Sequence, residues 1–317
     1  MGDMENTPVD ARKATRTYIF EEILACNMCG QDSAKARTMG LRLDRRQGRA
    51  PKSQRGIAVS VCRCTDCGLV YANPQPRPRS IADHYGIPPE SYWQENRLNL
   101  ETSLYDDLIA NCRRLIGKSA GIKALDVGVG LGSAAHAMRE AGFDVYGIEP
   151  SEPFFRRAQE RLEMDDEHLK LASVEEAEFA PGSFDFVTFG AVMEHLYDPD
   201  AAIAKAMRWL KPGGIMQAEV PNARHLISKI LNAYYRSVGT NFVTNLSPMH
   251  GPFHLYEFSI ESFRRNAHRH NYSVAEHTVK VATIRNMPKL LHPLLRAYMA
   301  RTGAGLQLHV WLRKDAG

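Results

Sequence analysis

A parallel-sheet α/β domain with helices on both faces, preceded by a small cysteine-rich module, is the architecture this sequence predicts. Two observations carry the prediction. From Lys123 onward, strand-like and helix-like segments alternate, as they do in βαβ units around a parallel sheet. Upstream, two Cys-x-x-Cys-Gly clusters stand thirty-four residues apart between their inner cysteines.

The alternation runs KALDVGV, SAAHAMREAG, DVYGIEP, EPFFRRAQERL, SFDFVTFGAV, DAAIAKAMRWLKPGG and IMQAEVP. SVAEHTVKVA (273–282) and LQLHVWLRK (306–314) read as two later strands around a helical MPKLLHPLLRAYMARTG, and such a late pair can include an antiparallel strand. ARHLISKILNAYYRSV (223–238) has helical spacing and suits a packing helix, a lid or a dimer contact. Before the domain, Leu98, Tyr105, Leu108, Ile109, Cys112 and Leu115 recur at helical intervals and should cover one face of the sheet. The proline cluster NPQPRP (73–78) should end the cysteine module, since prolines remove backbone donors. The chain therefore divides into a flexible leader (1–20), the cysteine module (21–78), a helical connector (79–120) and the α/β domain (121–317).

With 44% hydrophobic and 24% charged residues in 317, the composition is that of a globular chain, not a disordered or collagenous one. No segment reads as a signal peptide or membrane span, so a cytoplasmic setting without a membrane partner is expected. The net charge of +4 and the lack of a sustained basic-aromatic run give a nucleic-acid partner no support. Basic residues gather at 42–55, where charge, Gly and Pro predict a solvated, mobile loop.

In a reducing compartment, paired cysteines are metal ligands sooner than disulfides. Cys26, Cys29, Cys64 and Cys67 are the predicted ligands of a closed, structural Zn²⁺ ribbon, each pair followed by a glycine that permits the tight knuckle. Cys62 and Cys112 are expected to be ordinary buried thiols.

The most informative segment is Leu125-Asp126-Val127-Gly128-Val129-Gly130-Leu131-Gly132-Ser133, a strand opening into a glycine turn and then a helix. Such a turn lets a ligand approach the backbone and offers it free N–H groups, although glycine turns after strands also occur as plain structure. The next strand ends at Glu149, where a carboxylate can accept from both hydroxyls of a ribose or simply sit at a helix start. Ser133 occupies the place where a dinucleotide fingerprint wants its third glycine, so a single nucleoside fits better than a dinucleotide.

At this point the chain resembles the class I, Rossmann-like S-adenosylmethionine-dependent methyltransferases. The resemblance covers about residues 120–225 through LDVGVGLG, SFDFVTFGAVMEHLYDP and LKPGGIMQAEVPN. It implies that Asp126, Gly128, Gly130 and Gly132 line the methionine part of S-adenosyl-L-methionine, with Gly190 on the facing strand. It also implies that Glu149 holds the ribose and that Ser173 and Val174 meet the adenine, with Glu175 a neighbouring candidate. The ribbon, CGLVYANPQP and YGIPPESYW (85–93) are similar to bacterial methyltransferases acting on sugars or secondary metabolites.

Methyl transfer needs a held nucleophile and, for a hydroxyl or amine, a base. His195, His250 and His254 compete for that role, although a His at a strand-to-helix junction such as His195 is more often a structural hydrogen-bonding residue than a base. NFVTNLSPMHGPFHLYEF (241–258) is too broken for regular structure, and His254 and Tyr256 are its best substrate contacts unless the stretch is an aromatic plug. The expected activity is O- or N-methylation of a small-molecule acceptor. Methylation of a protein or RNA docked by the ribbon, a non-catalytic scaffold, and a homodimer stay open.

Overall fold

The computed structural model describes residues 18–43, 58–79, 102–247, 253–281, 284 and 287–316. The leader to residue 17, most of the basic loop at 42–55, the first part of the connector and His250 lie outside these.

The cysteine module contributes β1 (Tyr18–Glu21), β2 (Arg37–Leu43), β3 (Ala58–Arg63), β4 (Val70–Ala72) and β5 (Gln75–Pro78). The remainder begins with α1 (Asp106–Ile116), β6 (Lys123–Val127), α2 (Ser133–Glu140), β7 (Asp144–Glu149), α3 (Glu152–Leu162) and β8 (Leu169–Leu171). It continues with β9 (Phe184–Gly190), α4 (Pro199–Trp209), β10 (Leu210–Pro221), α5 (Leu226–Ser237) and β11 (Tyr256–Glu257). Last come α6 (Ile260–Ala267), β12 (Tyr272–Lys280), α7 (His292–Thr302) and β13 (Gln307–Lys314).

Seven strands form the main sheet in the order β12-β13-β10-β9-β6-β7-β8. The pairs from β10 to β8 are parallel, and β13 runs antiparallel to both of its neighbours, β10 and β12. From β6 the chain winds outward through β7 and β8, then returns to build β9 and β10 on the other side. That reversal leaves a crevice at the carboxyl ends of β6 and β9, the switch point where open α/β sheets take their ligands.

Local chemistry sets the helix ends. Asp106 and Asp107 open α1 and Gly117, at φ 74°, closes it. Asp198 caps α4 by accepting from the Ala201 N–H at 3.0 Å, with Pro199 in the first turn. One face of the sheet is covered by Leu108, Ile109, Cys112 and Leu115 of α1 together with Phe155, Leu162 and Trp311, as the connector's helical spacing predicts.

The other face shares its core with the cysteine module. Val59, Val61, Leu69 and Tyr71 belong to the same buried cluster as Phe184, Trp209, Phe258 and Phe263. The segment expected to be irregular supplies β11, which pairs antiparallel with β4 and extends the module's sheet to the order β11-β4-β3-β2. Helix α6 then docks on the knuckles: Ser259 Oγ donates to the Cys67 carbonyl at 2.6 Å, and Asn266 Nδ2 to the Met28 carbonyl at 2.9 Å.

Two expectations change here. The proline cluster does not merely terminate the module, because Gln75–Pro78 pairs as β5 with β1 in a two-stranded ribbon, where a missing donor is tolerated at an edge. Tyr256 takes the place of an aromatic plug and not of an open ligand contact. It is fully buried, Gln75 Nε2 donates to its phenol oxygen at 2.6 Å, and the phenol hydrogen faces Asn27 Oδ1 at 3.1 Å and the Tyr197 carbonyl at 3.0 Å. A phenol so enclosed ties the module to the sheet. Replacing Tyr256 by Phe strands Gln75 and should cost about 1–3 kcal/mol, read as a lower urea midpoint with ligand affinity unchanged.

Candidate active site

Strand β6 delivers Asp126 to the crevice and stops at a turn in which Gly128, Gly130 and Gly132 all have positive φ (76°, 57° and 88°). Two of these positions are closed to side chains for a second reason. A Cβ on Gly128 would meet Val192 Cγ2 at 2.5 Å, and one on Gly132 would meet Leu162 Cδ1 at 2.8 Å. The turn is thus pressed between the loop after β9 and helix α3.

Glu149, at the tip of β7, closes the turn from the other side. Its Oε2 accepts from the Gly130 N–H at 2.8 Å and its Oε1 from the Ser151 N–H at 2.9 Å. Burial pushes its carboxyl up to about 7 in spite of those two bonds. Asp126 is likewise pushed up to about 7, by burial and then by the neighbouring Glu149 charge, and its Oδ2 has no hydrogen-bond partner among the described residues.

Ser173 follows β8, with its N–H and Oγ both turned to Glu176 Oε2 at 3.2 Å. Val174 is buried in the shared core and Gly190 is exposed at the end of β9. The Glu175 carbonyl is taken by Lys205 Nζ at 2.7 Å.

Beyond Gly190 the chain passes Ala191, at φ 56°, into a short 3₁₀ turn, Met193–His195. His195 Nδ1 lies 3.0 Å from the Phe253 carbonyl, and its ring meets that of His254 edge-on at 4.7 Å. The structure therefore joins two of the three predicted histidines. It adds a third group that the sequence reading passed over: Glu194, whose carboxylate falls with the two imidazoles inside a 4.8 Å cluster. Glu194 is buried, its Oε2 has no hydrogen-bond partner among the described residues, and burial with the nearby Glu219 raises its carboxyl to about 8. Tyr105, foreseen only as a packing residue, sits close enough to Asp126 and Glu219 for both to raise its phenol, after burial, to about 12.

In the module, Cys26 Sγ and Cys67 Sγ are 3.6 Å apart, Cys29 Sγ and Cys64 Sγ are 3.5 Å apart, and all four sulfurs lie within 4.8 Å of one another. Four thiolates around one tetrahedral zinc stand about 3.8 Å apart, so the set fits that ion. Gly30 and Gly68, at φ 76° and 75°, donate back to the Cys26 and Cys64 carbonyls and close the knuckles. Cys62 lies outside the cluster and is buried, as is Cys112.

With this geometry in view, residues 125–218 match the family described as "Methyltransferase domain". Over these residues the chain is similar to methyltransferases. Among curated relatives, a ubiquinone biosynthesis O-methyltransferase of Methylococcus capsulatus is 32% identical over 133 residues, 41% of this chain and 54% of that protein. The protein of the same name from Pseudomonas entomophila is 40% identical over 98 residues, 30% of this chain and 42% of its own length. The chain spans about half the length of the curated relatives it matches. A solved structure of a SAM-dependent methyltransferase from Methanosarcina mazei aligns at 16% identity and TM-score 0.47, covering 66% of this chain and 98% of that one. The glycine turn, Glu149, Ser173, Gly190 and His195 all fall within the matched methyltransferase segment, whereas the four cysteines, Tyr105 and His254 fall outside it.

The raised carboxyls of the methyltransferase domain set a pH dependence of stability. Asp126, Glu149 and Glu194, with Glu257 raised to about 7 by burial, hold protons in the fold that the unfolded chain has released, so stability falls as pH rises toward 8. His225 and His309, both lowered to about 4 by burial, act in the opposite sense below about pH 6.5. The ligand-free protein should therefore lose melting temperature between about pH 6.5 and 8. Glu194→Gln should flatten that slope by up to about 1.4 kcal/mol per pH unit in a denaturation series.

Proposed function

We propose that this protein methylates a hydroxyl of a small-molecule acceptor, using S-adenosyl-L-methionine bound across the switch point between β6 and β9. The observation that carries this reading is the placement of two chemistries on one crevice. The turn of three positive-φ glycines closed by Glu149 packs, through Gly128, against Val192 of the loop that leads into the cluster of Glu194, His195 and His254.

When bound, the sulfonium cofactor supplies an electrophilic methyl group; the chain's own residues account for the rest. The Gly130 N–H and Glu149 fix the turn, and the Glu149 carboxylate is placed to accept from the ribose hydroxyls. Ser173 offers its hydroxyl toward the adenine position. The buried carboxylates of Asp126 and Glu194 have no ion pair among the described residues, so a cationic ligand is favoured beside them. His195, oriented by the Phe253 carbonyl, and His254, against its ring, are placed to take the acceptor's proton, with Glu194 supporting the resulting imidazolium. A hydroxyl, a weak nucleophile until its proton leaves, gains from such a proton-accepting cluster. The names of the curated relatives, O-methyltransferases, agree with a hydroxyl acceptor.

Calorimetry provides the test. S-adenosyl-L-methionine should bind the wild type, and Glu149→Gln should weaken it by at least roughly ten-fold, the loss of charge-assisted hydrogen bonds. His195→Gln and His254→Gln should keep cofactor affinity while lowering turnover on a phenolic or sugar hydroxyl by roughly 10²–10⁴-fold. Absence of cofactor binding to the wild type would reject the proposal, and binding without turnover on any hydroxyl pool would make the chain a scaffold.

We also propose that Cys26, Cys29, Cys64 and Cys67 hold a structural Zn²⁺. With all four positions taken by thiols, the site leaves none open for substrate. Metal analysis should return a single zinc, and chelation at elevated temperature should lower the melting temperature and, because β11 leans on the module, slow turnover as well.

A further inference from the structure

Charge is distributed unevenly along the second half of the chain. Residues 222–256 and 277–314 contain ten Lys and Arg residues and no Asp or Glu, although the whole protein is only +4. The rest of the chain is therefore net acidic. The sequence reading, looking for dense basic runs, places the basic excess near the N-terminus and misses this sparse but acid-free pair of stretches.

The two stretches meet in space. Asn222 Nδ2 donates to the Gly303 and Gly305 carbonyls at 3.0 and 2.8 Å, and the Leu226 N–H donates to the Ala304 carbonyl at 3.0 Å. Ile227 of α5 and Met299 of α7 share one small core. Both helices stand at the carboxyl end of β10 and the start of β13, beside the acceptor side of the crevice.

Helix α7 is apolar on both sides. Leu295 and Met299 face the core, while Leu290, in the turn leading into α7, and Leu294 and Tyr298 recur every four residues outside it, 90%, 69% and 52% exposed. Tyr234 of α5 adds a further 55% exposed ring. Lys289 and Arg301 stand at the two ends of the stripe, whereas Arg296, two residues from both Leu294 and Tyr298, lies on the opposite side of α7; neither Lys289 nor Arg301 has an ion pair among the described residues. Large exposed apolar patches mark contact surfaces.

The charge decides what covers it. A second copy presenting the same face across a two-fold axis would bring like charge against like charge. A nucleic acid would satisfy the cations but not three exposed leucine and tyrosine side chains in a row. An anionic bilayer answers both, taking the aliphatic stripe into its interfacial zone and the Lys and Arg side chains onto its headgroups. We propose that α5, α7 and the turn before α7 form a peripheral docking face for anionic lipid membranes. No described helix is long and apolar enough to cross a membrane, so the contact is one of surface attachment. Docking does not depend on the methyltransferase reading, and a chain that binds vesicles but not cofactor would leave it standing.

Flotation of the full chain with vesicles of phosphatidylcholine, with and without about a third phosphatidylglycerol, tests the proposal. Binding should appear on the anionic vesicles and weaken by roughly ten-fold or more on neutral ones or at about 0.5 M salt. The pairs Leu290→Ser/Leu294→Ser and Lys289→Glu/Arg301→Glu should each abolish flotation while leaving the melting temperature unchanged. No flotation of the wild type, or equal flotation of all three proteins, would overturn it. So would self-association lost in the leucine pair, which gives the face to a second copy. Oligonucleotide binding lost only in the Lys289/Arg301 pair would overturn it in favour of a nucleic acid.

Discussion

Leu255 is held from two directions at once: its N–H donates to the Glu194 carbonyl at 2.7 Å, and its carbonyl accepts from the Ala72 N–H at 3.0 Å. One residue thus links the loop after β9 to the edge of the module's sheet, and the residue before it is His254. Because β11 pairs with β4 immediately afterwards, the position of His254 against His195 is set by a strand pair that includes the cysteine module. The Phe253 carbonyl, on the near side of the same segment, orients His195. The knuckles in turn hold α6 through Cys67 and Met28. Loosening the four-cysteine site would therefore reach the histidine pair through backbone hydrogen bonds alone.

The two ends of the main sheet treat buried carboxylates in opposite ways. Asp185, at the amino end of β9, is desolvated too, but Lys118 Nζ at 2.7 Å and Lys211 Nζ at 2.8 Å overcome the burial and hold its carboxyl below the usual range. Asp126 and Glu149, at the carboxyl ends of β6 and β7, and Glu194, just beyond that of β9, have no such cations and stay raised. A fold that neutralises one end and leaves the other charged when ionised keeps an electrostatic vacancy for a positive ligand where the glycine turn opens.

Much of this was legible in the residue order because the signals were local. The strand, glycine turn and helix around Gly130 sit within a dozen residues, the cysteine knuckles within four, and the periodicity of α1 along a single face. What was not legible depended on distant partners. Tyr256 reads as a ligand-facing aromatic until Gln75 and Asn27, far upstream, are seen around its phenol. The prolines of 75–78 read as a stop until β1 is found beside them. Glu194 was adjacent to a histidine already singled out, yet its significance lies in burial with an Oε2 that has no hydrogen-bond partner among the described residues, which sequence does not carry.

The orientation of the knuckles separates the two roles that a zinc ribbon can play. A docking ribbon would present its knuckle backbone to a partner. Here the Cys67 carbonyl is occupied by Ser259, the Met28 carbonyl by Asn266, and Met28 itself is fully buried in the core shared with the sheet. At the exposed tip of the second knuckle, Asp66 is already paired with Arg265 of α6 at 3.2 Å. A macromolecule seeking this surface would have to displace intramolecular bonds, several of them buried, before forming its own. The knuckles face inward as a brace for the segment that carries His254, and a macromolecule meeting the module would have to use another of its surfaces.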